Sequence, residues 1–275
     1  MTDWAKIIAE TVVPEGVTPE DILKQALSDA PLPSAARFAE LRALMGANFI
    51  GPEEVMRALN VKELGGGIPA LPDGLIEFLK SDSLITPGAK VAKDHTLMIM
   101  PTSFDGVENS VWNLKGLVEQ AEAKRKLGQA EHEQVGPIFD QDQDWYHKGE
   151  VKEERWAQAP LKEAYWVLVA NTVPEDTRGI DYTSQSKIIA ANYQDYKRGS
   201  AHELIQLLSL SELLTSERRY PIGTWGWTET ETDKAGAYPW QRVFVGFFDA
   251  VGFWVAFALP GASNASLGAF LRRNF

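Results

Sequence analysis

Three aspartates in the middle of the chain have the spacing that opens a calcium-binding loop. Asp140, Asp142 and Asp144 alternate with other residues, like the first three ligands of an EF-hand loop. The sixth position of that loop requires glycine and the twelfth supplies a bidentate glutamate, but these positions hold Trp145 and Val151. The segment is therefore interpreted as a solvated acidic loop, and no metal site is predicted there.

The histidines do not have the spacing of a zinc site. His132 lies between two glutamates, His202 lies at the start of a helical pattern, and His95 and His147 are isolated. A zinc-binding helix places two histidines four residues apart, and no pair in this chain has that spacing. We expect His132 and His147 at the surface and His202 in the first turn of a helix. The absence of cysteine excludes disulfides, thiolate metal sites and a cysteine nucleophile.

Two glycine-containing segments resemble catalytic loops only superficially. Gly65, Gly66 and Gly67 are not followed by the Gly-Lys-Ser/Thr of a phosphate-binding loop, so they predict a flexible turn. Residues 261–265, Gly-Ala-Ser-Asn-Ala, lack the final glycine of a nucleophile elbow and lie between predicted strands rather than between a strand and a helix. The sequence therefore predicts no catalytic residue, no enzymatic activity and no cofactor.

The charge of the chain limits its partners. The formal net charge is −11, which disfavours nucleic-acid phosphates and anionic membrane surfaces. The N-terminal residues lack the cationic start and apolar run of a signal peptide, and no apolar run approaches membrane-spanning length. A cytoplasmic protein without membrane insertion is the default expectation, and display at a cell surface stays open.

The hydrophobic patterns predict helices first, then strands and helices, then a run of strands. Short helices joined by Pro/Gly loops are expected in residues 1–94, with a hinge at residues 83–90. Strands are predicted at residues 95–101 and 165–170, and a capping box at Ser200 and Glu203 opens an apolar helix. From Thr224 the apolar period becomes two. This order predicts an α+β fold with an antiparallel sheet, divided into a helical region at residues 1–94 and a second domain at residues 95–275.

The last 35 residues differ chemically from the rest of the chain. Residues 241–275 contain eight aromatic residues but only three arginines and one aspartate. Both faces of the predicted strands at residues 243–248 and 253–259 are apolar, whereas a half-buried strand alternates apolar and polar residues. Either both faces are buried or one is an exposed apolar surface, and exposed surfaces of this kind mark binding sites.

The order of the C-terminal motifs resembles the C-type lectin fold of bacterial variable proteins. A Trp-Thr-x-Thr-Glu strand at residues 227–231 leads to Arg-Val-Phe-Val-Gly-Phe-Phe-Asp at residues 242–249. Gly-Phe-Trp-Val at residues 252–255 and Leu-Gly-Ala-Phe-Leu-Arg-Arg at residues 267–273 follow. This is similar to the target proteins of diversity-generating retroelements, common in candidate-phylum bacteria. The resemblance spans residues 95–275 and implies a lectin-like domain with two helices and an antiparallel sheet.

In that family a fixed scaffold carries positions that are varied by adenine-directed mutagenesis, which converts Asn codons to many others but never to Lys, Glu, Gln or Met. None of those four residues occurs between Val243 and Leu271, while Trp254 departs from the pattern because a varied Asn codon does not yield Trp. The resemblance implies scaffold positions at Arg242, Val243, Val245, Gly246, Asp249, Gly252, Val255, Leu267, Gly268 and Arg273. It implies varied, ligand-contacting positions at Phe247, Val251, Trp254, Ala256, Phe257, Ala258, Leu259, Ala262, Ser263, Asn264, Ala265, Phe270 and Leu271.

Three other functional interpretations are weighed against the resemblance, and two of them stay open. The C-terminal apolar face could bury itself in a homo-oligomer of a structural or assembly protein. Formylglycine-generating enzymes share the lectin scaffold, but they require cysteines and this chain has none. The chain could also be a soluble α+β domain with another role, because fold does not imply function. The resemblance favours a non-catalytic protein that binds another protein or a different ligand through its C-terminal segment.

Overall fold

The structure is a computed structural model that describes residues 34–127, 137–139, 153–216, 224–233, 241–249 and 252–274. Of residues 247–249 and 274 only the backbone is described. The chain divides into two compact units, Met1–Glu40 and Leu41–Phe275. The acidic segment with Asp140, and also His132 and His147, lie outside the described residues.

The described residues form eight helices, four before residue 110 and four after it. They are α1 Ser34–Met45, α2 Pro52–Leu59, α3 Leu75–Lys80, α4 Val91–Asp94, α5 Val111–Lys126, α6 Arg155–Gln158, α7 Tyr182–Asn192 and α8 Ala201–Thr215, with 3-10 turns at Gly46–Asn48 and Glu175–Thr177. The predicted capping box opens α8, since Ser200 Oγ accepts from the Glu203 backbone N–H and the Glu203 carboxylate accepts from the Ser200 N–H. No helix in the described ranges is long and apolar enough to cross a membrane.

The strands form two main sheets and one small hairpin. They are β1 Phe49–Ile50, β2 His95–Met100, β3 Ser103–Phe104, β4 Val107–Glu108, β5 Tyr165–Ala170, β6 Lys197–Arg198, β7 Trp225–Glu231, β8 Arg242–Asp249, β9 Gly252–Ala258, β10 Leu267–Ala269 and β11 Leu271–Asn274. The first sheet has the order β1-β2-β5-β11-β6, the second has the order β10-β7-β8-β9, and β3 pairs with β4. All pairs are antiparallel except β1 with β2 and β10 with β7.

The predicted α+β class is confirmed by these helices and mostly antiparallel sheets. The predicted strands at residues 95–101 and 165–170 are β2 and β5, which pair antiparallel over six residue pairs. Every residue of β2 is buried. The strand lies between β1 and β5, and most of its residues are apolar on both faces of the sheet. The predicted boundary between residues 94 and 95 stays a prediction. Strand β1, which precedes it, pairs with β2, which follows it.

Replacing either of two glycines with alanine tests the backbone conformation, and we expect the two changes in the free energy of unfolding to have opposite signs. Gly246 in β8 has φ +142°, and a Cβ there would lie 2.3 Å from the Thr224 carbonyl oxygen. Gly116 in α5 has ordinary helical space, with no atom within 4 Å of an added Cβ. We expect Gly246→Ala to lower the free energy of unfolding by about 2 kcal/mol or more. We expect Gly116→Ala to raise it by about 0.5–1 kcal/mol, because alanine is the better helix former. Urea denaturation of the two variants measures both changes, and equal effects would contradict the backbone conformation described for β8.

Candidate functional site

One face of the four-stranded sheet is ordinary core. Val243 and Val245 of β8 lie opposite Phe257 and Val255 of β9 in the antiparallel register. Val243, Val245, Val255 and Phe253 are completely buried. Because side chains alternate along a strand, the residues between them must point to the other face of the sheet.

The other face of this sheet carries a cluster of aromatic rings, which we call the aromatic face. The ring centroids of Trp225 and Phe244 are 4.8 Å apart, those of Trp225 and Trp254 are 6.2 Å apart, and those of Trp227 and Phe244 are 5.2 Å apart. All three pairs are edge-to-face, the arrangement that the ring quadrupoles favour. Read across the strands, the aromatic face consists of three rows: Trp225–Gly246–Trp254, Trp227–Phe244–Ala256 and Glu231–Arg242–Ala258.

Tyr182, the first residue of helix α7, covers part of the aromatic face. The ring centroids of Tyr182 and Trp227 are 5.8 Å apart in an edge-to-face arrangement. The guanidinium carbon of Arg242 lies 4.7 Å from the centroid of the Tyr182 ring. Trp227 is completely buried beneath this cover, whereas Trp225, Phe244 and Trp254 are half-buried. The Tyr182 N–H also donates to the Pro260 carbonyl at 3.0 Å, which attaches the β9–β10 loop, residues 259–266, to the start of α7.

Most of the predicted ligand-contacting residues with described side chains lie at or near this surface. Along β9, Trp254, Ala256 and Ala258 are half-buried and alternate with the fully buried Phe253 and Val255. In the β9–β10 loop, Leu259 is 49% exposed, Ala262 is half-buried, and Ser263, Asn264 and Ala265 are exposed. Strand β9 and the loop therefore form one continuous, partly exposed stretch of chain.

Phe257 lies on the opposite face from Trp254. The two residues are three apart on one strand, and Phe257 pairs with the core residue Val243. Its side chain is half-buried because it lies near the end of β9. Phe247 and Val251 were also predicted as ligand contacts, but the side chain of the first and the whole of the second lie outside the described residues.

Phe270 and Leu271 do not lie at the surface, although the resemblance implied that they contact ligand. Both are completely buried. The Phe270 ring fills the space beside Gly199, where an added Cβ would lie 2.1 Å from the ring. Leu271 packs in a core cluster with Tyr193 and Tyr196. Both side chains therefore belong to the core and not to the candidate surface.

Several predicted scaffold positions have a backbone conformation or a degree of burial that disfavours substitution. Gly246 and Gly252 have φ of +142° and +119°, which favour glycine. A Cβ at Gly268 would lie 2.6 Å from the Val173 side chain. Leu267 is buried, as are the β8 and β9 valines.

Sequence reasoning missed part of the aromatic face. The apolar period of two from Thr224 places Trp225 and Trp227 on one face, but it does not show that Trp225 is only half-buried. No local pattern indicates Tyr182, because its contact with the sheet joins residues far apart in the chain. The edge-to-face cluster would have been detectable only as period-two aromatics in both β7 and β8.

Two histidines are buried in polar networks rather than metal sites. His95 Nδ1 contacts the Asp94 carboxylate, and the Tyr196 hydroxyl lies 3.0 Å from His95 Nε2. His202, in the first turn of α8 as predicted, bonds through Nε2 to Asn109 Oδ1 at 2.8 Å. Among the described residues, no group of three or more His, Asp or Glu side chains is arranged to hold a metal ion.

Comparison of the chain with models of known protein families gives no match, and comparison with curated proteins and with solved structures gives none either. The function must therefore be inferred from the residues and their arrangement.

The surface placement of Trp254 is testable against its buried neighbour. We expect Trp254→Ala to lower the free energy of unfolding by roughly 1 kcal/mol, because the side chain is only half-buried. We expect Phe253→Ala to lower it by about 3–5 kcal/mol, because that ring is fully enclosed and packs against Phe139 at 5.0 Å. Chemical denaturation of both variants measures the difference, and an equally large loss in Trp254→Ala would place that ring in the core.

The burial of His202 predicts a dependence of stability on pH. Burial lowers the pKa of His202 to about 4, whereas histidine in an unfolded chain titrates near about 6.5. Between these values the unfolded state binds more protons than the folded state, so the free energy of unfolding falls as pH decreases from about 6.5 to about 4. Asn109 Nδ2 donates to the Pro101 carbonyl, so Asn109 Oδ1 accepts a hydrogen bond from His202 Nε2–H. The side-chain amide of glutamine can donate the same hydrogen bond without titrating in this range. Denaturation across this window should show a shallower fall for His202→Gln than for the wild type, and parallel curves would refute the assignment.

Proposed function

We propose that this protein is a non-catalytic ligand-binding protein with a C-type lectin-like domain. Its binding surface consists of the aromatic face and the β9–β10 loop, and this surface is diversified by a retroelement. The ligand is a protein or another molecule that offers apolar surface, since half-buried aromatic rings are the anchors that binding hot spots favour. A rigid sheet holds the rings, so that recognition depends on the side chains and not on refolding of the loop.

The chain path from β5 to β11 supports the lectin-like fold. After β5 the chain forms α7 and α8, then β7, β8 and β9, and the final strand β11 returns to pair antiparallel with β5. The first and last strands of this region are therefore neighbours, with two helices and a second sheet inserted between them. The two helices and the mostly antiparallel sheets agree with what the resemblance implies.

The observation that carries the proposal is the alternating burial of residues 254–256 in β9, where predicted fixed and predicted varied positions lie on opposite faces. Val255, a predicted scaffold residue, is completely buried. Its neighbours Trp254 and Ala256, predicted as varied, are half-buried on the aromatic face. A strand with this alternation can change every second side chain without disturbing the core, which is what a diversified binding surface requires.

A second candidate is a structural or assembly protein that buries the same surface in an oligomer. The 49% exposure of Leu259, which follows the half-buried Ala258 at the end of β9, favours it, because exposed apolar side chains promote association. A solution mass that rises with protein concentration and returns to that of a monomer in Trp254→Ala would support assembly.

Natural variation tests the proposed function directly. The last ~50 codons of this gene, a window that spans the binding surface, would be sequenced deeply from a natural population. We expect substitutions at adenine-template codons for Ala256, Ala258, Leu259 and Ala262–Ala265, and constant codons for Val243, Val245 and Val255. A reverse transcriptase and a template repeat should lie near the gene. A uniform tail without a template would exclude diversification and leave the assembly candidate.

A further inference from the structure

Two arginines share one tyrosine ring at the edge of the aromatic face. The guanidinium carbon of Arg198 lies 3.7 Å from the Tyr182 ring centroid, and that of Arg242 lies 4.7 Å from it. Each arginine gains from contact with the ring, but the two positive charges repel each other. Burial lowers the pKa of Arg198, and the charge of Arg242 acts in the same direction.

The positive charge of Arg198 is not balanced by a neighbouring carboxylate. Arg242 pairs with Glu231, but Arg198 is 7% exposed and has no ion pair with any residue that the structure describes. Its donors reach neutral acceptors only, namely Ser186 Oγ at 2.7 Å, the Tyr182 carbonyl at 2.8 Å and Gln185 Oε1 at 3.0 Å. A buried cation without a counter-ion is costly, so an anion at this place would be stabilising.

Asp181 precedes Tyr182, and the Glu229 carbonyl accepts from Arg242, but the carboxylates of both residues have other partners. Asp181 accepts from the backbone N–H groups of Thr183 and Ser184 and so caps helix α7. Glu229 reaches Arg272 at 3.4 Å. The arginine pair with its one partner Glu231 therefore keeps a net charge of about +1.

The same place has more hydrogen-bond donors than acceptors. The Nε atoms of Arg198 and Arg242 and the indole Nε1 of Trp227 are buried and have no hydrogen-bond partner among the described residues. We call these three groups the donor cluster. Buried donors are normally paired, so an acceptor-rich group from outside the chain fits this site.

We propose that the donor cluster receives a carboxylate from a protein partner: an aspartate or glutamate whose apolar neighbour packs on the aromatic face. A carboxylate supplies the missing negative charge, and the planar guanidinium groups match its geometry. A protein is the source that the surface favours, because tryptophan, tyrosine and arginine together are typical of protein-binding hot spots.

This inference rests on the proposed function and adds a constant contact to it. Arg198 lies outside the varied segment, and Arg242 is a predicted scaffold residue. The acidic contact would therefore be shared by all variants of the protein, whereas the apolar contacts of Trp254 and Ala256 would change. The partners would then differ in shape but have an acidic residue in common.

The test compares two probes that differ only in charge. 3-Phenylpropionate has an apolar ring and a carboxylate, and 3-phenylpropanamide has the same ring with a neutral amide. Each would be titrated into the full-length ¹⁵N-labelled protein while the tryptophan indole and arginine Nε–H signals are followed by NMR. We expect the carboxylate to bind roughly tenfold more tightly than the amide, because charge-assisted hydrogen bonds are the stronger ones. The Nε–H signals of Arg198 and Arg242 should move with the carboxylate only.

Three variants identify the groups responsible. Arg198→Met keeps an apolar stem of similar length and should abolish the preference for the carboxylate. Arg242→Met removes one guanidinium of the donor cluster from a half-buried position and should reduce the preference severalfold, so it serves as the test if Arg198→Met does not fold. Arg57→Gln removes the same charge from an exposed position on α2 and should leave the preference unchanged.

Equal affinities for the two probes, or no binding of the carboxylate, would overturn the inference. Equal binding at the indole signals would still leave the aromatic face as a binding surface, so the proposed function would stand. Inorganic phosphate that moves the arginine signals at lower concentration than the carboxylate would also overturn it, in favour of a phosphorylated ligand. Invariant C-terminal codons in a natural population would contradict diversification, but they would not affect the comparison of the carboxylate and amide probes.

Discussion

The ion pair between Arg272 and Glu203 connects the parts of the molecule that define the binding surface. Arg272 Nε lies 3.0 Å from Glu203 Oε2, and both side chains are almost completely buried. The Tyr165 hydroxyl donates to Glu203 at 3.0 Å, and Glu229 approaches the outer side of Arg272. Burial raises the pKa of Glu203, whereas Arg272 and these hydrogen bonds act in the opposite direction. Because an unpaired charge here would be very costly, strands β11, β5 and β7 and the start of α8 are held in one relative position.

The same constraint fixes the segment that carries the proposed binding surface. Strand β11 lies between β5 and β6 in the first sheet, and β10 pairs with β7 in the second. Between β10 and β11, the Phe270 N–H donates to the Trp227 carbonyl at 3.0 Å, and the Phe270 ring is buried. Both ends of the segment from β8 to β11 are thus fixed to the core, and the proposed variation would be confined to β9 and the β9–β10 loop.

Local patterns predicted the elements well but predicted only part of the surface. Apolar runs predicted strands β2 and β5, and the capping box of Ser200 and Glu203 predicted the start of α8. These patterns could be recognised because they depend only on residues that are close in sequence. The burial of Phe270 could not be predicted, since an apolar residue in a strand has the same local pattern whether it faces a core or a ligand. The cover of Trp227 by Tyr182 depends on how a helix docks on a distant sheet, and no local pattern encodes that.

Strand β9 is an edge of its sheet, and this limits what a varied segment can become. Its first residue after Gly252, Phe253, donates to the Ile138 carbonyl at 2.8 Å, so the beginning of the edge is covered. From Trp254 to Ala258, β8 is its only strand partner within the described ranges. An uncharged, apolar edge strand is a template for pairing with other chains, and natural proteins protect such edges with lysine, proline or bulges. Under the proposed diversification, mutation of an Asn codon could not introduce lysine at this edge, so solubility as well as affinity would restrict the usable repertoire.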